Sequence, residues 1–555
     1  CVNRCLFVMG IATLLAIATV HCWAGASGLP LKHVQEHDKA NVWTNALAAP
    51  AAADPILAGR ADHNELRSVG PGMGRWIPAV NGINCLIMMI FAGCGLLRMA
   101  TDPKWSLFTL CCAMVKKKLP RRTRCMGIPD AGGAACDTAN DTAKANPGKK
   151  VLSVREAGFV LTAMLFSTQV FMGAHAFALS GLWGGLLALV GSWAANLATG
   201  FLLGETLHAA HELDPSAEST YEAVGKAAFG PLFGHVSAFF GLGELYLYGV
   251  WWAVSFGINL PLLADRLGFH LSAPVAIAGA TSLAVAGTLV PERNMSYICL
   301  GGIFVLVSCA IMTALAVLML PEWAPEHHGL DVSTLGSSFS IFTFGFAAHA
   351  TFPSTYAVVE EPRKLSFQHA LSQAFITSLV GTGALSVIVY WGYGQAAAPL
   401  CTANLGHDIH GAVLPETWAA LLQLAALACF SIKSLSSWPL CLRPLGNWLA
   451  NKGGWCLPPG ITDEASLLPK YPGLYLTRLL CNILVGGSVG ALGITLATEI
   501  RLITEFTAAL FMGVNAFVFP AACYLKLSRR AGTYQKLAVT AVLIIGISYM
   551  VSGLA

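Results

Sequence analysis

From residue 155 onward the chain consists of apolar stretches of about 20 residues separated by short polar loops. A helix rises 1.5 Å per residue, so such a stretch crosses the roughly 30 Å hydrocarbon core of a bilayer. Only 11% of the residues are charged and the mean hydropathy is +0.63, which is too apolar for a soluble surface of this size. The sequence predicts an all-α membrane protein, in contact with the lipid bilayer, with eleven spans near residues 157–180, 182–204, 231–260, 272–290, 297–320, 337–358, 370–393, 416–437, 475–496, 502–526 and 536–554.

Residues 1–150 differ from this pattern and are predicted to form a separate N-terminal extension before a membrane domain at 151–555. The extension contains a signal-like apolar segment at 6–23, a second apolar segment at 77–97, a basic run at 116–124 and a linker at 130–150. This order resembles a multipart presequence for a plastid bounded by extra membranes. An ordinary extra membrane helix at 77–97 and contacts with partners in a membrane complex are the open alternatives.

The Lys and Arg residues predict the orientation of the membrane domain. They concentrate in one alternate set of loops, which includes 205–230, 359–369 and 438–474, whereas the opposite set contains only Arg266 and Arg501. Cytoplasmic loops retain positive charge, so the first set is expected in the cytosol and residue 555 on the far side. Vacuolar, endosomal, plasma and plastid membranes all fit this topology.

Several function classes are not expected. A formal net charge of +4 without a basic patch argues against nucleic-acid binding. The 17 Cys show no CxxC pair, and no P-loop, nucleophile elbow or dinucleotide fingerprint is present, so no enzymatic activity, cofactor or metal is expected. His208 and His211 lie near Glu205 and Glu212 at helical spacing, but an acidic cytosolic loop is the favoured interpretation.

Spans one and six both carry residues that interrupt a membrane helix. Span one reads STQVFMGAHAF at 167–177, and span six reads TFGFAAHATFP at 343–353. A broken membrane helix is tolerated only where protein or a polar cavity satisfies the freed backbone groups, so breaks point to binding sites. The five-span separation is the one expected for two five-helix repeats.

Four segments carry a family resemblance. Span six and its exit, FTFGFAAHATFPSTYAVVEEPRKL, resemble the signature of the amino acid/auxin permease family within the amino acid-polyamine-organocation superfamily. STYEAVGKAAFG before span three, SSWPLCLRPL after span eight and FVFPAACYLKL at the end of span ten support it in the same order. The resemblance implies a LeuT-like inverted repeat of five plus five helices with an eleventh appended, and alternating access around a midplane site. From it we predict secondary transport of amino acids or related small zwitterions, linked to protons.

The resemblance also implies a substrate site at the two breaks. The substrate carboxylate would meet the N–H groups of Gly173 and Ala174, where the helix dipole is positive. The ammonium would meet carbonyls near the break in span six, with the side chain directed toward Ala347 and His349. The implied substrate-binding residues are Gln169, Met172, Gly173, Ala174, His175, Phe344, Gly345, Phe346, Ala347 and His349.

Three residues depart from the family pattern. Gln169 stands where the family usually has Asn, His175 where it has a second Gly, and Ser180 where it has Pro. A site altered in this way suggests an alternative, in which the domain no longer transports and serves as a structural subunit or receptor in a membrane complex.

Ionisable residues inside spans are functional hypotheses because they are costly there. His175 and His349 are interpreted either as paired proton carriers or as neutral packing residues. Lys433 in span eight is interpreted as a substitute for a sodium ion or, preferably, as a side chain that reaches water at the cytoplasmic end. Glu244 in span three, like Glu505 in span ten, either lines the polar path or pairs with neighbours, and Glu244 is counted with the coupling residues.

Overall fold

The computed structural model describes residues 152–214, 219–290, 292–325, 327–414, 417–456, 471–528 and 532–554. The predicted segments at 6–23, 77–97, 116–124 and 130–150 lie outside these residues. The described chain is almost entirely helical.

Eleven successive segments correspond to the predicted spans, and we keep their numbers. Span one comprises Val154–Leu165, Thr168–Met172 and the start of Gly173–Leu213, and span two is the remainder of Gly173–Leu213. Spans three, four and five are Pro231–Arg266, Ala273–Gly287 and Glu292–Leu318, and span six comprises Leu335–Phe346, His349–Thr351 and Phe352–Val358. Spans seven, eight and nine are Arg363–Tyr393, Thr417–Lys452 and Pro472–Thr495, span ten comprises Ile500–Phe506, Thr507–Val518 and Phe519–Leu527, and span eleven is Thr533–Leu554. A short helix, Tyr221–Phe229, lies between spans two and three and is capped by the Thr220 side chain.

Within the described residues, eight helical segments are long and apolar enough to cross a membrane. The first of them, Val154–Leu213, contains both span one and span two. Span four has only 15 residues, and span six is divided into short pieces, so neither reaches the length of a full crossing. The chain is an integral multi-pass membrane protein, and the exact number of eleven crossings stays a prediction.

The junction between spans one and two shows why both lie within one long helical segment. Gly181 has φ of 76° and interrupts the helix Gly173–Leu213. A Cβ at this position would lie 2.5 Å from the carbonyl oxygen of His328, so both the conformation and the space require glycine. The turn is held by hydrogen bonds from the Leu182 and Trp183 N–H groups to the 328–329 carbonyls.

Helix packing reveals an internal repeat. Spans one and seven pack together as spans six and two do, spans five and eight as ten and three do, and spans four and eight as nine and three do. Each contact is thus reproduced when spans one to five are exchanged with spans six to ten, five places along the chain. A repeat of five spans has an odd number of crossings, so the second copy of the repeat enters the membrane from the side opposite to the first copy. These pairings confirm the predicted five-plus-five inverted repeat, with span eleven packed on span ten.

The predicted cytosolic ends of spans one and six are joined. Ser153 caps the first helix through a capping box with Glu156. Immediately before it, the Leu152 N–H donates to Val358 O, and the Glu360 N–H donates back to Leu152 O. This short parallel bridge links the start of span one to the end of span six.

Candidate functional site

The break in span one lies at Phe166 and Ser167. The first helix ends at Leu165, Phe166 and Ser167 have non-helical dihedral angles, and a 3₁₀ turn then leads into the helix that begins at Gly173. The Gly173 residue itself is helical, and its N–H donates to Val170 O. The break therefore begins several residues earlier than Gly173 and Ala174, where the sequence placed it.

The break in span six lies at Ala347 and Ala348. The helix ends at Phe346, the Ala348 N–H donates to Phe346 O, and the Thr351 N–H donates to Ala348 O, so the regular i to i−4 pattern stops. Gly345 still belongs to the helix before the break. Pro353 lies in the first turn of the helix after it, where a missing N–H costs nothing.

A tyrosine from span three meets the break in span six. The Tyr248 hydroxyl lies 2.8 Å from Phe344 O and 2.8 Å from Ala347 O. Sequence reasoning missed this residue. A signal was present, because a buried tyrosine hydroxyl in mid-membrane requires a hydrogen-bond partner, but the sequence did not say which backbone group would supply it.

A small, mostly apolar cavity of about 10 Å³ lies between the breaks and span seven, with a volume of about one water molecule. Gln169, Gly173, Gly345 and Thr382 are among the residues that line it. The buried Gln169 Oε1 has no hydrogen-bond partner in the described structure, nor do the hydroxyls of Ser167 and Ser386. A Cβ on Gly173 would lie 1.9 Å from the Ser386 hydroxyl oxygen, so glycine is required for this close approach.

The other predicted substrate residues lie around these breaks but differ in their partners. Met172 and Ala174 are buried on either side of Gly173, and the Met172 sulfur accepts a 3.6 Å contact from the Thr504 hydroxyl in span ten. Phe344 and Phe346 are fully buried just before the break in span six. A Cβ on Gly345 would meet nothing within 4 Å, so this face of the helix is open.

Lys433 joins span eight to the first half of span one. Its ammonium is buried and donates to Ala163 O at 2.9 Å and to the Ser437 hydroxyl at 2.6 Å. The Ala163 carbonyl belongs to the last turn of the helix Val154–Leu165, where the dipole is negative and a cation is stabilising. The preferred interpretation of a side chain that reaches water is wrong, because span eight continues to Lys452 and places Lys433 near its middle.

His175 and His349 contact different parts of the molecule. The His175 Nδ1 lies 3.0 Å from Ala397 O in the loop after span seven, whereas the buried His349 Nε2 lies 3.1 Å from the Thr199 hydroxyl in span two. Thr199 lies further from the turn at Gly181 than His175 does, and the two distances differ by about 12 residues, or roughly 18 Å of helix rise. The structure does not bring the two histidines together as a pair.

Glu244 lies where span three meets span ten and the second half of span six. Its carboxylate is fully buried and accepts hydrogen bonds from the Asn515 side chain at 2.8 Å and the Ala350 N–H at 3.4 Å. Glu505, by contrast, forms an ion pair with Arg501 at 3.0 Å on span ten. The two acids that were grouped by sequence therefore occupy different environments.

A vestibule of about 910 Å³ opens on the predicted cytosolic side. Its outer part is lined by His211, Asp214 and Lys452, and its inner part reaches Leu245 and Ala350. Leu245 precedes Tyr248 by one helical turn, so the vestibule approaches the break in span six from the side that the sequence predicts to be cytosolic. Residues of spans two, three, six and eight and of the Tyr221–Phe229 helix form its walls.

The His and Glu residues of the predicted cytosolic side form pairs near this vestibule. Lys364 binds Glu205 at 2.6 Å, His208 lies 3.4 Å from Glu212, and the Arg363 guanidinium lies 3.4 Å from His211. No group of three or more His, Cys, Asp or Glu that could hold a metal ion was found in the part of the chain that the structure describes.

Two comparisons of sequence bear on this site. A family model described as transmembrane amino acid transporter protein matches residues 150–555. Over 390 residues the chain is 26% identical to amino acid transporter AVT1E of Arabidopsis thaliana, which covers 66% of this chain and 66% of that protein. Over 240 residues it is 29% identical to amino acid transporter AVT1B of the same plant, covering 41% and 43%. The chain thus spans just under two thirds of the length of the first relative and less than half of the length of the second.

Solved structures give weaker similarity. A crystal structure of MhsT in complex with L-phenylalanine has 12% identity and a TM-score of 0.45, and covers 71% of this chain and 97% of that one. A closed Mhp1, a nucleobase-cation-symport-1 family transporter, has 15% identity and a TM-score of 0.43, with coverage of 74% and 93%. Because the family model spans well over half of the sequence, the chain belongs to the transmembrane amino acid transporter protein family.

Proposed function

We propose that this protein carries amino acids or related small zwitterions across a membrane by alternating access, linked to protons. The observation that supports this function most strongly is the pair of helix breaks in spans one and six, with a cytosolic vestibule that reaches toward them. Such breaks expose both N–H groups and carbonyls in mid-membrane, which suits a molecule that carries a carboxylate and an ammonium.

The substrate carboxylate is assigned to the break in span one. The first N–H groups of a helix have no intrahelical acceptor, and the dipole there favours an anion. Thr168 and Gln169 begin the 3₁₀ turn after the break, beside the unpartnered Ser167 hydroxyl. They replace Gly173 as the proposed N–H donors, since the Gly173 N–H already donates to Val170 O.

The substrate ammonium is assigned to the carbonyls of Phe344 and Ala347 in span six. They lie at the C-terminal end of the helix Leu335–Phe346, where the dipole favours a cation. The open face at Gly345 leaves room for the substrate side chain.

Proton linkage is assigned to Glu244. Its carboxylate holds the Ala350 N–H at the break in span six, so a change in its charge would act directly on the second half of that span. No ion pair to Glu244 is formed by the described residues; the titratable groups that face it are Tyr221, Tyr248 and Cys441. Lys433 is assigned a positive charge that caps the first half of span one.

The test is uptake of labelled L-amino acids by proteoliposomes that contain the full chain, with and without an inward proton gradient. Gradient-stimulated uptake is expected, and Glu244→Gln is expected to abolish the stimulation. Uptake that the gradient does not change would contradict proton linkage but would leave amino acid transport supported.

The second candidate function is that of a structural subunit or receptor. The observation that favours it is the small cavity between the breaks, about 10 Å³, which Gln169 helps to line. Folded protein that neither takes up nor exchanges any amino acid would favour this function over transport.

A further inference from the structure

The Tyr248 hydroxyl is held in a fixed position against the break in span six. Its side chain is almost fully buried, at 2% exposed, and its ring packs on Phe344 with centroids 5.0 Å apart and on Trp252 at 6.1 Å. This packing directs the hydroxyl oxygen to the point that is 2.8 Å from both Phe344 O and Ala347 O.

This arrangement has one donor for two acceptors. A phenol has a single O–H, so it donates to only one of the two carbonyls at a time. A primary ammonium has three N–H donors and a positive charge, so it satisfies both carbonyls together through stronger, charge-assisted hydrogen bonds. The position of the hydroxyl oxygen is therefore better suited to an ammonium nitrogen than to the phenol.

We propose that the Tyr248 hydroxyl and the ammonium group of the substrate compete for the carbonyls of Phe344 and Ala347. This inference rests on the proposed transport function and adds the protein group that the substrate must displace. An amino group that arrives through the vestibule passes Leu245 and Ala350, and Tyr248 lies one turn beyond Leu245. Tyr248 thus acts as a positioning residue that closes the break until a suitable amine replaces it.

Competition predicts that loss of the hydroxyl strengthens binding. In Tyr248→Phe the ring and its packing are retained, but no hydrogen bond has to be broken before the ammonium binds. We expect a dissociation constant about threefold to tenfold lower for the amino acid, which is the size of one net hydrogen bond. The measurement is equilibrium binding of a panel of radiolabelled standard L-amino acids to the purified full chain, followed by the same titration of the variant with the amino acid that binds.

A deaminated analogue of that amino acid provides the chemical control. It keeps the carboxylate and the side chain but has no ammonium, so its affinity in a displacement assay should be the same for the original chain and for Tyr248→Phe. Tyr246→Phe removes a hydroxyl from the same stretch of span three and should leave the amino acid affinity unchanged.

Thermal unfolding gives a second readout that does not depend on transport. Without added amino acid, Tyr248→Phe should unfold at a lower temperature, because two buried carbonyls lose their donor. The increase in Tm that saturating amino acid produces should be larger in the variant than in the original chain.

The outcomes separate this inference from the proposed function. If the original chain binds an amino acid and Tyr248→Phe binds it equally well, the competition does not exist and transport is untouched. Weaker binding by the variant would overturn the inference as well, and would show that the hydroxyl contacts the substrate directly. If the folded original chain binds no amino acid, the proposed function fails and the inference falls with it.

Discussion

At the scale of single residues, a substitution of Lys433 tests whether its buried charge stabilises the position of the first half of span one. Lys433→Met retains the aliphatic stem but leaves the Ala163 carbonyl and the Ser437 hydroxyl without this donor. We expect a loss of about 1–3 kcal/mol in the free energy of unfolding and an uptake that is impaired or newly dependent on sodium. Lys536→Met, which removes an exposed positive charge, is the matched control. Unchanged stability with ion-independent uptake would contradict this role.

The two histidines provide a second test at this scale. Because His175 contacts the loop after span seven and His349 contacts span two, the effects of His175→Gln and His349→Gln should add. The expected interaction energy in a double-mutant cycle on unfolding is within about 0.5 kcal/mol of zero. A large interaction energy, together with a pH profile of uptake that flattens only in the double variant, would restore the paired proton carriers suggested by the sequence.

At the scale of elements, the close approach of spans one and seven depends on Gly173. Gly173→Ala should strongly reduce stability and uptake, because its Cβ would overlap the Ser386 hydroxyl. The double variant Gly173→Ala, Ser386→Gly should recover a large part of the loss, as the added methyl then occupies the released space. Gly487→Ala, in a helix with nothing within 4 Å of the new Cβ, should be neutral. A failure of the double variant to recover would show that Gly173 is needed for another reason.

Gly345 should behave in the opposite way. A Cβ there meets nothing within 4 Å, so Gly345→Ala should keep or slightly raise the stability, by up to about 1 kcal/mol from helix propensity. Because Gly345 lines the cavity that Gln169 also lines, uptake should fall and the preference should shift toward smaller amino acids. Wild-type uptake and selectivity would place the substrate side chain elsewhere.

The sequence predicted the broken elements better than the contacts between them. Gly, His and Pro in spans one and six correctly marked two interrupted helices, since these residues are rare in continuous apolar helices. The positions were less accurate, because Gly173 is helical and the real break needs only the non-helical backbone of Phe166 and Ser167. Tyr248 was missed because its partners are backbone carbonyls on another span, and sequence periodicity carries no information about tertiary hydrogen bonds.

At the scale of the whole molecule, the repeat and the vestibule determine how the site is reached. The inverted repeat places the breaks of spans one and six together, and the bridge between Leu152 and Val359 joins their predicted cytosolic ends. The sequence predicted the repeat from the five-span separation, and the helix packing confirms it. The vestibule was not predictable, because its walls come from spans distant in sequence.

Cys456 offers a direct test of access through the vestibule. It is exposed and lies among the vestibule residues, whereas the other described cysteines are buried or half-buried. A membrane-impermeant maleimide applied from the cytosolic side should inhibit uptake, because the added group would obstruct the path toward Ala350. Cys456→Ser should transport normally and resist the reagent, which excludes effects at cysteines elsewhere in the chain. A saturating amino acid should slow the labelling; inhibition that persists in Cys456→Ser, or labelling from the opposite side alone, would contradict a cytosolic vestibule.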